Sequence, residues 1–457
     1  MTHRDSKTEA GMSSGSAVPR PPVGWQRIGW LGPGFLWMVS AAGSGELLFT
    51  PRIGAQYGYA LVWALLLAVA LKWVVNREVG RYTVVTGEAF LQGAHRLRGP
   101  RGWAVWLLAL PQVVVAVATI AGLAGVAATA LVLALPGDFR IWTIVSIAAS
   151  TLLVATGRYG WVERSAIVLA LLLGGAAIAA AVSVGPDVGA VAAGARPQLP
   201  DDLDLVEVIP WLGFLLSGAA GMMWYSYWLE AKGYGASGGG TEPDGASGGG
   251  TEPDEHDVFR LKGWLAQMTL DNTVAVVGTL AITFAFLVLG TELLRPEGLV
   301  PEENEIADVL GRLLGDVWGR AGYWFMVAAV FVGFWDTVLS DQDGFARMFS
   351  ETTRLLAPRR LRAVTDARLR RWWVLGPLAA APIALYLAVG EPVGLLKLAG
   401  LIEAIHLPVV AGVALLLGRR LPDELRPRWW TVLATAAAAA FFAGFAAVYV
   451  FQVLTGA

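Results

Sequence analysis

From Gly29 onward, apolar stretches of about 20 residues recur to the end of the chain, each long enough to cross a hydrocarbon core. In lipid every backbone N–H and C=O needs an internal partner, which leaves only helices and closed barrels. Barrel strands alternate over short segments, and these runs do not. The chain is 56% hydrophobic and only 15% charged, where a soluble domain carries about 25% charge. It reads as an all-α membrane protein with roughly eleven spans. They fall near residues 28–56, 59–80, 102–133, 139–157, 161–184, 206–230, 259–290, 320–346, 372–389, 393–416 and 429–453.

The loops set an orientation. Arg81, Arg96, Arg98 and Arg101 follow the second span, and Arg158 and Arg164 the fourth. Arg354, Arg359, Arg360, Arg362, Arg368, Arg370 and Arg371 follow the eighth, and Arg419, Arg420, Arg426 and Arg428 the tenth. The alternate loops are acidic, as in "PDDLDLVE" and "RPEGLVPEENE". The positive-inside rule predicts a cytoplasmic N-terminus and an extracytoplasmic C-terminus. Residues 1–27 read as a disordered cytoplasmic tail, since Met1 to Pro22 is polar and lacks a signal-peptide h-region. Residues 28–457 read as one transmembrane domain. The repeat "GASGGGTEPD", at 235–244 and again at 245–254, lies in an expected flexible cytoplasmic linker, 233–256, between the sixth and seventh spans. There is no cysteine, so thiolate metal sites and disulfides are excluded. The Arg- and Ala-rich composition suggests a GC-rich bacterium and its plasma membrane.

Two spans carry glycines at their middles. The first holds "VSAAGSGELLFTPR", with Gly43 and Gly45; the sixth holds "LSGAAGMMWYSYWLE", with Gly218 and Gly221. They lie five spans apart in order, so the breaks occupy matching positions in two halves of five. That pattern points to an inverted-repeat transporter with its site at the unwound segments. Unwinding frees backbone groups that cost several kcal/mol in lipid unless substrate, ion or water satisfies them.

The stretch "GPGFLWMVSAAGSGELLFTPRIGAQYGYALVWALLLA", residues 32–68, and the later "VVTG" at 84–87 resemble the Nramp family of divalent-metal transporters. The resemblance implies a LeuT-like five-plus-five inverted repeat with broken helices 1 and 6. The functional motifs depart from the family. Counting back from "GAQYGY", the family's DPGN motif falls on Gly43, Ser44, Gly45 and Glu46, so its metal-binding Asp becomes Gly43 and its Asn becomes Glu46. Its MPH motif falls on Met222, Met223 and Trp224. The family's proton route uses third-helix carboxylates; here that helix holds no acid, and Gln112 is its one strongly polar side chain. The resemblance therefore implies an altered metal site and loss of Nramp-type proton coupling. Some divergent branches of the family carry magnesium.

An acid inside a membrane is a functional candidate by default. Glu46 is expected to be the principal cation ligand, or else to cap a half-helix whose positive end it faces. Neutral ligands would be Met222 and the freed carbonyls near Ala42, Gly43 and Ala219. Glu403 and His406, three apart and so on one face of the tenth span, read as a proton relay or as a packing pair. Asp336 is expected to be the deepest acid of the eighth span and a coupling-ion candidate, with Asp341 and Asp343 nearer the helix end, capping it or meeting Arg347. Asp271 is a further intramembrane candidate. Trp224 and Tyr225 line an aromatic core face or a cage for an organic cation. Lys72, Arg77 and Glu78 read as snorkelling and locally paired. Arg52 has no place that the sequence assigns.

These readings lead to a secondary transporter of a divalent cation. One carboxylate with carbonyls and waters suits Mg²⁺ or Mn²⁺. The alternative is a LeuT-like transporter of an amino acid or amine, the freed N–H groups holding its carboxylate. A membrane sensor has little support, and no nucleophile–base pair or phosphate loop suggests an enzyme. The expected partners are membrane lipid and the transported ion or solute, with no resident cofactor, nucleic acid or protein partner.

Overall fold

A computed structural model of the chain describes residues 18–157, 160–239 and 254–455, and among these the secondary structure is helical without strands. Among the described residues eight helices are long and apolar enough to cross a membrane, and a bent pair, Val168–Val184 with Val188–Gly194, makes a ninth. The first two expected spans fall outside that criterion for local reasons. The first is divided into three pieces: Pro33–Ala41, a π-helical stretch Ala42–Phe49, and Thr50–Tyr57. The second, Val62–Thr86, carries Lys72, Arg77 and Glu78 within its length. With these two, the eleven spans expected from the sequence are all helical.

The third span, Trp103–Ala134, is the buried axis. Its 32 residues run about 48 Å at the usual helical rise, so it exceeds a membrane core. Small residues let its neighbours approach. A Cβ on Gly122 would come 2.9 Å from the carbonyl of Pro392, and one on Gly125 would come 2.8 Å from the Tyr386 ring. Spans 6 and 10 meet still more closely, since a Cβ on Gly213 would lie 2.0 Å from the carbonyl oxygen of Gly400.

The eighth span lies within one helix, Ile306–Leu356, kinked at Gly319, whose φ of +65° suits glycine. The ninth is split at Gly376, just before Pro377, into Asp366–Leu375 and Pro377–Val389. The tenth is Pro392–Gly418 and the eleventh Trp429–Thr455.

Residues 18–27 do not trail from the bundle as the expected tail. Val18 is buried, its carbonyl accepts from Arg260 at 2.6 Å, and Trp264 donates to the Pro19 carbonyl at 2.9 Å. Arg27 donates to Gln267 at 2.9 Å. Val18 and Pro21 pack on the start of span 7 (Glu255–Leu289), while Val23 and Trp25 stay exposed; the polar composition of the preceding residues concealed this contact. The expected linker also begins later than its composition suggests. Tyr234 is buried and donates to the Trp30 carbonyl, and Gly235–Gly239 forms a 3₁₀ turn. The rest of the duplicated segment, residues 240–253, and the remainder of the tail, residues 1–17, lie outside the described residues.

Candidate functional site

The sixth span breaks between Leu205–Phe214 and Ala219–Ala231. The break is at Leu215–Gly218, so it ends on the first of the two glycines expected to make it. Gly221 lies inside the second half-helix, and the turn is made by Leu216 and Ser217, with φ of +54° and +69°. Non-glycine residues in this region cost of order 1–3 kcal/mol each and persist only where their surroundings fix them.

Three charged side chains provide that fixing. Lys72 is wholly buried at the eleventh position of its helix, and its ammonium donates to the carbonyls of Gly213 at 2.7 Å, Leu215 at 2.5 Å and Ser217 at 3.1 Å. Glu46 accepts from the Leu216 N–H at 3.0 Å. Glu403 accepts from the Ala219 N–H at 2.5 Å, capping the second half-helix at its positive end. The sequence reading expected substrate, ion or water to satisfy these freed groups; buried side chains of the protein take these five. This arrangement also corrects the reading of Lys72 as snorkelling. Arg77 and Arg81, by contrast, do pair locally with Glu78, at 2.7 and 2.8 Å.

Between the two broken spans lies a cavity of about 30 Å³. Ser44, Thr119, Ser217 and Thr337 bring hydroxyls to its wall, and Asp341 and Glu403 bring carboxylates. Asp341 is 6% exposed and accepts no hydrogen bond from the described residues. It does not cap the helix end, as its position near Arg347 suggested. The arginine pairing belongs to Asp343, which meets Arg347 at 2.7 Å and Arg370 at 2.8 Å. A two-residue step along a helix turns the side chain by about 200°, enough to face Asp341 inward and Asp343 outward. Trp224 closes the floor of the cavity, edge-on to Phe345 at 4.8 Å between centroids.

Glu46 is not in this cavity's wall. It lines, with Asp336, a neighbouring pocket of about 40 Å³ among spans 1, 5, 7 and 8, otherwise apolar except for Thr279. Its Oε2 has no hydrogen-bond partner. Of the expected neutral ligands, Ala42 opens the π-helical stretch, and Gly43 lies where a Cβ would come 2.5 Å from the Thr337 hydroxyl. Ala219 contributes its N–H rather than its carbonyl, and Met222 is buried away from the cavity wall. Among the described residues no three His, Asp or Glu side chains form a metal-ligand cluster.

The remaining candidates hold the frame. Asp271 accepts from the Gly32 and Gly34 N–H groups at 2.9 and 2.6 Å and from Tyr225 at 3.1 Å, so it caps the start of span 1. Glu403 and His406 do not touch directly. Gln112 bridges them, at 3.3 Å from Glu403 and 2.9 Å from His406 Nδ1, and the other ring nitrogen donates to the Leu107 carbonyl at 3.1 Å. Each is thus tied to span 3 by a fixed amide.

Arg52 closes the end of the molecule away from the arginine-rich loops. It donates to Glu207 at 3.0 and 3.1 Å and to the Pro301 carbonyl, and Lys397 donates to the same Glu207. This cluster joins the second half of span 1, the first half of span 6, the loop after span 7, and span 10. No sequence spacing signals it, because its members are over 150 residues apart along the chain in some pairs.

Comparison with known proteins gives a consistent picture. A family model described as natural resistance-associated macrophage protein-like matches residues 34–452. The metal transporter Nramp3.2 of Populus trichocarpa is 32% identical over 174 residues, 37% of this chain and 33% of that protein, so the aligned stretch spans about a third of the relative's length. A manganese transporter from Eremococcus coleocola, solved as its H236A mutant, superposes with a TM-score of 0.68 at 14% identity, covering 97% of this chain and 90% of that one. MhsT in complex with L-phenylalanine superposes at 0.51 with 16% identity, covering 90% and 98%. These likenesses establish the LeuT-type fold.

Proposed function

The chain belongs to the Nramp family, and from that premise we propose that it moves a divalent metal cation of the Mg²⁺ or Mn²⁺ kind by secondary-active alternating access. The observation that carries this reading is Asp341: a buried carboxylate without a hydrogen-bond donor among the described residues, sharing a small cavity with Glu403 and four hydroxyls between the two broken spans. A buried carboxylate without a counter-charge is expensive, and a cation is its natural partner. The donors are oxygen, without thiolate or imidazole, which suits a hard ion that keeps some of its water. The relatives named as metal transporters support the same cargo.

The metal site then differs from the family's, moved from the first span's motif to spans 8 and 10. Proton coupling of the Nramp type is absent: Gln112 stands in the third span, its amide holding both Glu403 and His406. The amino-acid alternative loses support because the Leu216 and Ala219 N–H groups, which a substrate carboxylate would use, are taken by Glu46 and Glu403. The arginine-rich loops fit a cytoplasmic face of a bacterial plasma membrane, with the N-terminus inside and the C-terminus outside, and the helical segments compose a single transporter domain.

Uptake into proteoliposomes tests the reading. Mn²⁺ and Mg²⁺ are offered beside a panel of amino acids and amines. Metal uptake in the wild type, cut at least about tenfold in Asp341→Asn, is expected. Amino-acid flux without metal flux would overturn it.

A further inference from the structure

Half-helix C-termini and unwound carbonyls at such a break ordinarily coordinate a small cation. Here the position is filled from within. The ammonium of Lys72 reaches from span 2 to the carbonyls of Gly213, Leu215 and Ser217. Three acceptors require three N–H donors, which only the protonated amine possesses. The first half of span 6 ends here, so its dipole adds negative potential to that of the carbonyls. Around the ammonium stand Glu46 from span 1 and Glu403 from span 10, and the Phe442 ring of span 11 lies 5.8 Å from it. Both carboxylates bond backbone N–H groups of the same turn, at Leu216 and Ala219. Carbonyl cage, flanking carboxylates and full burial are the parts of a monovalent-cation site, and no donor of the ammonium is left for any other acceptor.

We propose that Lys72 is a tethered cation occupying a monovalent-cation site formed by the carbonyls of Gly213, Leu215 and Ser217, so that the break in span 6 is held without a free ion. Sodium, potassium or ammonium would enter that site only when the side chain is cut away. The inference is independent of the cargo, because it concerns how the break is held and not what crosses the membrane.

The test is thermal unfolding of the purified full-length protein in chloride salts of sodium, potassium and ammonium, each against choline chloride at equal concentration. The wild type is expected to melt at one temperature in all four. Lys72→Ala is expected to melt lower in choline by at least about 4 °C and to recover saturably in at least one small cation. Lys72→Met, which fills the volume without charge, is expected to melt low in every salt. A wild-type melting point that rises with a small cation overturns the proposal, as does Lys72→Ala that no cation rescues. Should Lys72→Ala fail to fold, Lys72→Met decides: melting equal to the wild type means that Lys72 only fills space and overturns the proposal, and low, salt-indifferent melting supports it.

Discussion

At the turn in span 6, Leu216 offers an N–H and Ser217 a carbonyl, and Glu46 and Lys72 take one each. On the proposed reading Glu46 holds the turn rather than the metal, and its substitution separates fold from transport. Glu46→Gln keeps an acceptor for Leu216 and is expected to unfold near the wild type and retain metal uptake. Glu46→Leu leaves the buried N–H unpaired and is expected to lose about 1–3 kcal/mol, read from chemical denaturation. Asp341→Asn has no hydrogen bond to lose and should fold normally while failing to take up metal. If Glu46→Gln abolished uptake while Asp341→Asn spared it, the two assignments would be reversed. Sequence spacing found all three ions at the break but gave their roles only in part. It marked Glu46 and Glu403 because acids inside spans are rare, and discounted Lys72 because long cationic side chains usually reach an interface. The central placement of Lys72, eleven residues into a 25-residue helix, was the available signal.

Helices move as pieces, and the Arg52–Glu207–Lys397 cluster joins three of them, and the loop after span 7, at the end away from the arginine-rich loops. Removing Arg52 leaves Glu207 paired with Lys397 alone, so the loss for that closed arrangement stays below the roughly 3–5 kcal/mol of a fully stranded buried charge. Arg52→Met is therefore expected to open this end. Because the chain has no cysteine, Ser44→Cys at the cavity wall gives a clean reporter. It should react with a membrane-impermeant thiol reagent faster when Arg52→Met is added, and equal rates would show that the cluster does not close this end. The close approach of spans 6 and 10 gives a second element-scale prediction. Gly213→Ala drives a methyl to 2.0 Å from the Gly400 carbonyl, so the helices must separate. Overpacking of this kind typically costs about 1–3 kcal/mol, checked by a lower melting temperature. Such contacts are illegible in one sequence, since Gly213 and Gly400 look like any other small residues in a membrane helix.

Across the whole molecule, what the sequence made legible was periodic or punctuated. Eleven apolar runs gave the spans, matched interruptions in the first and sixth gave the halves, and the stretch from Gly32 gave the family. The position of each break was less legible, because glycine permits a turn without requiring one: the first break is a π-helical stretch, and the sixth falls on Leu216 and Ser217. Least legible was the cavity wall. Asp341 and Asp343 differ by one residue between them, and only the helix's rotation against span 3 decides which faces the site. The central claim is that a divalent ion rests between Asp341 and Glu403. It is tested most directly by anomalous diffraction from crystals of the full chain soaked in Mn²⁺. A peak in the cavity bounded by Ser44, Ser217, Asp341 and Glu403 is predicted, with a carboxylate oxygen of Asp341 as a direct or water-bridged ligand. A peak in the neighbouring pocket beside Glu46 and Asp336 would contradict it, as would a cavity that stays empty at saturating metal.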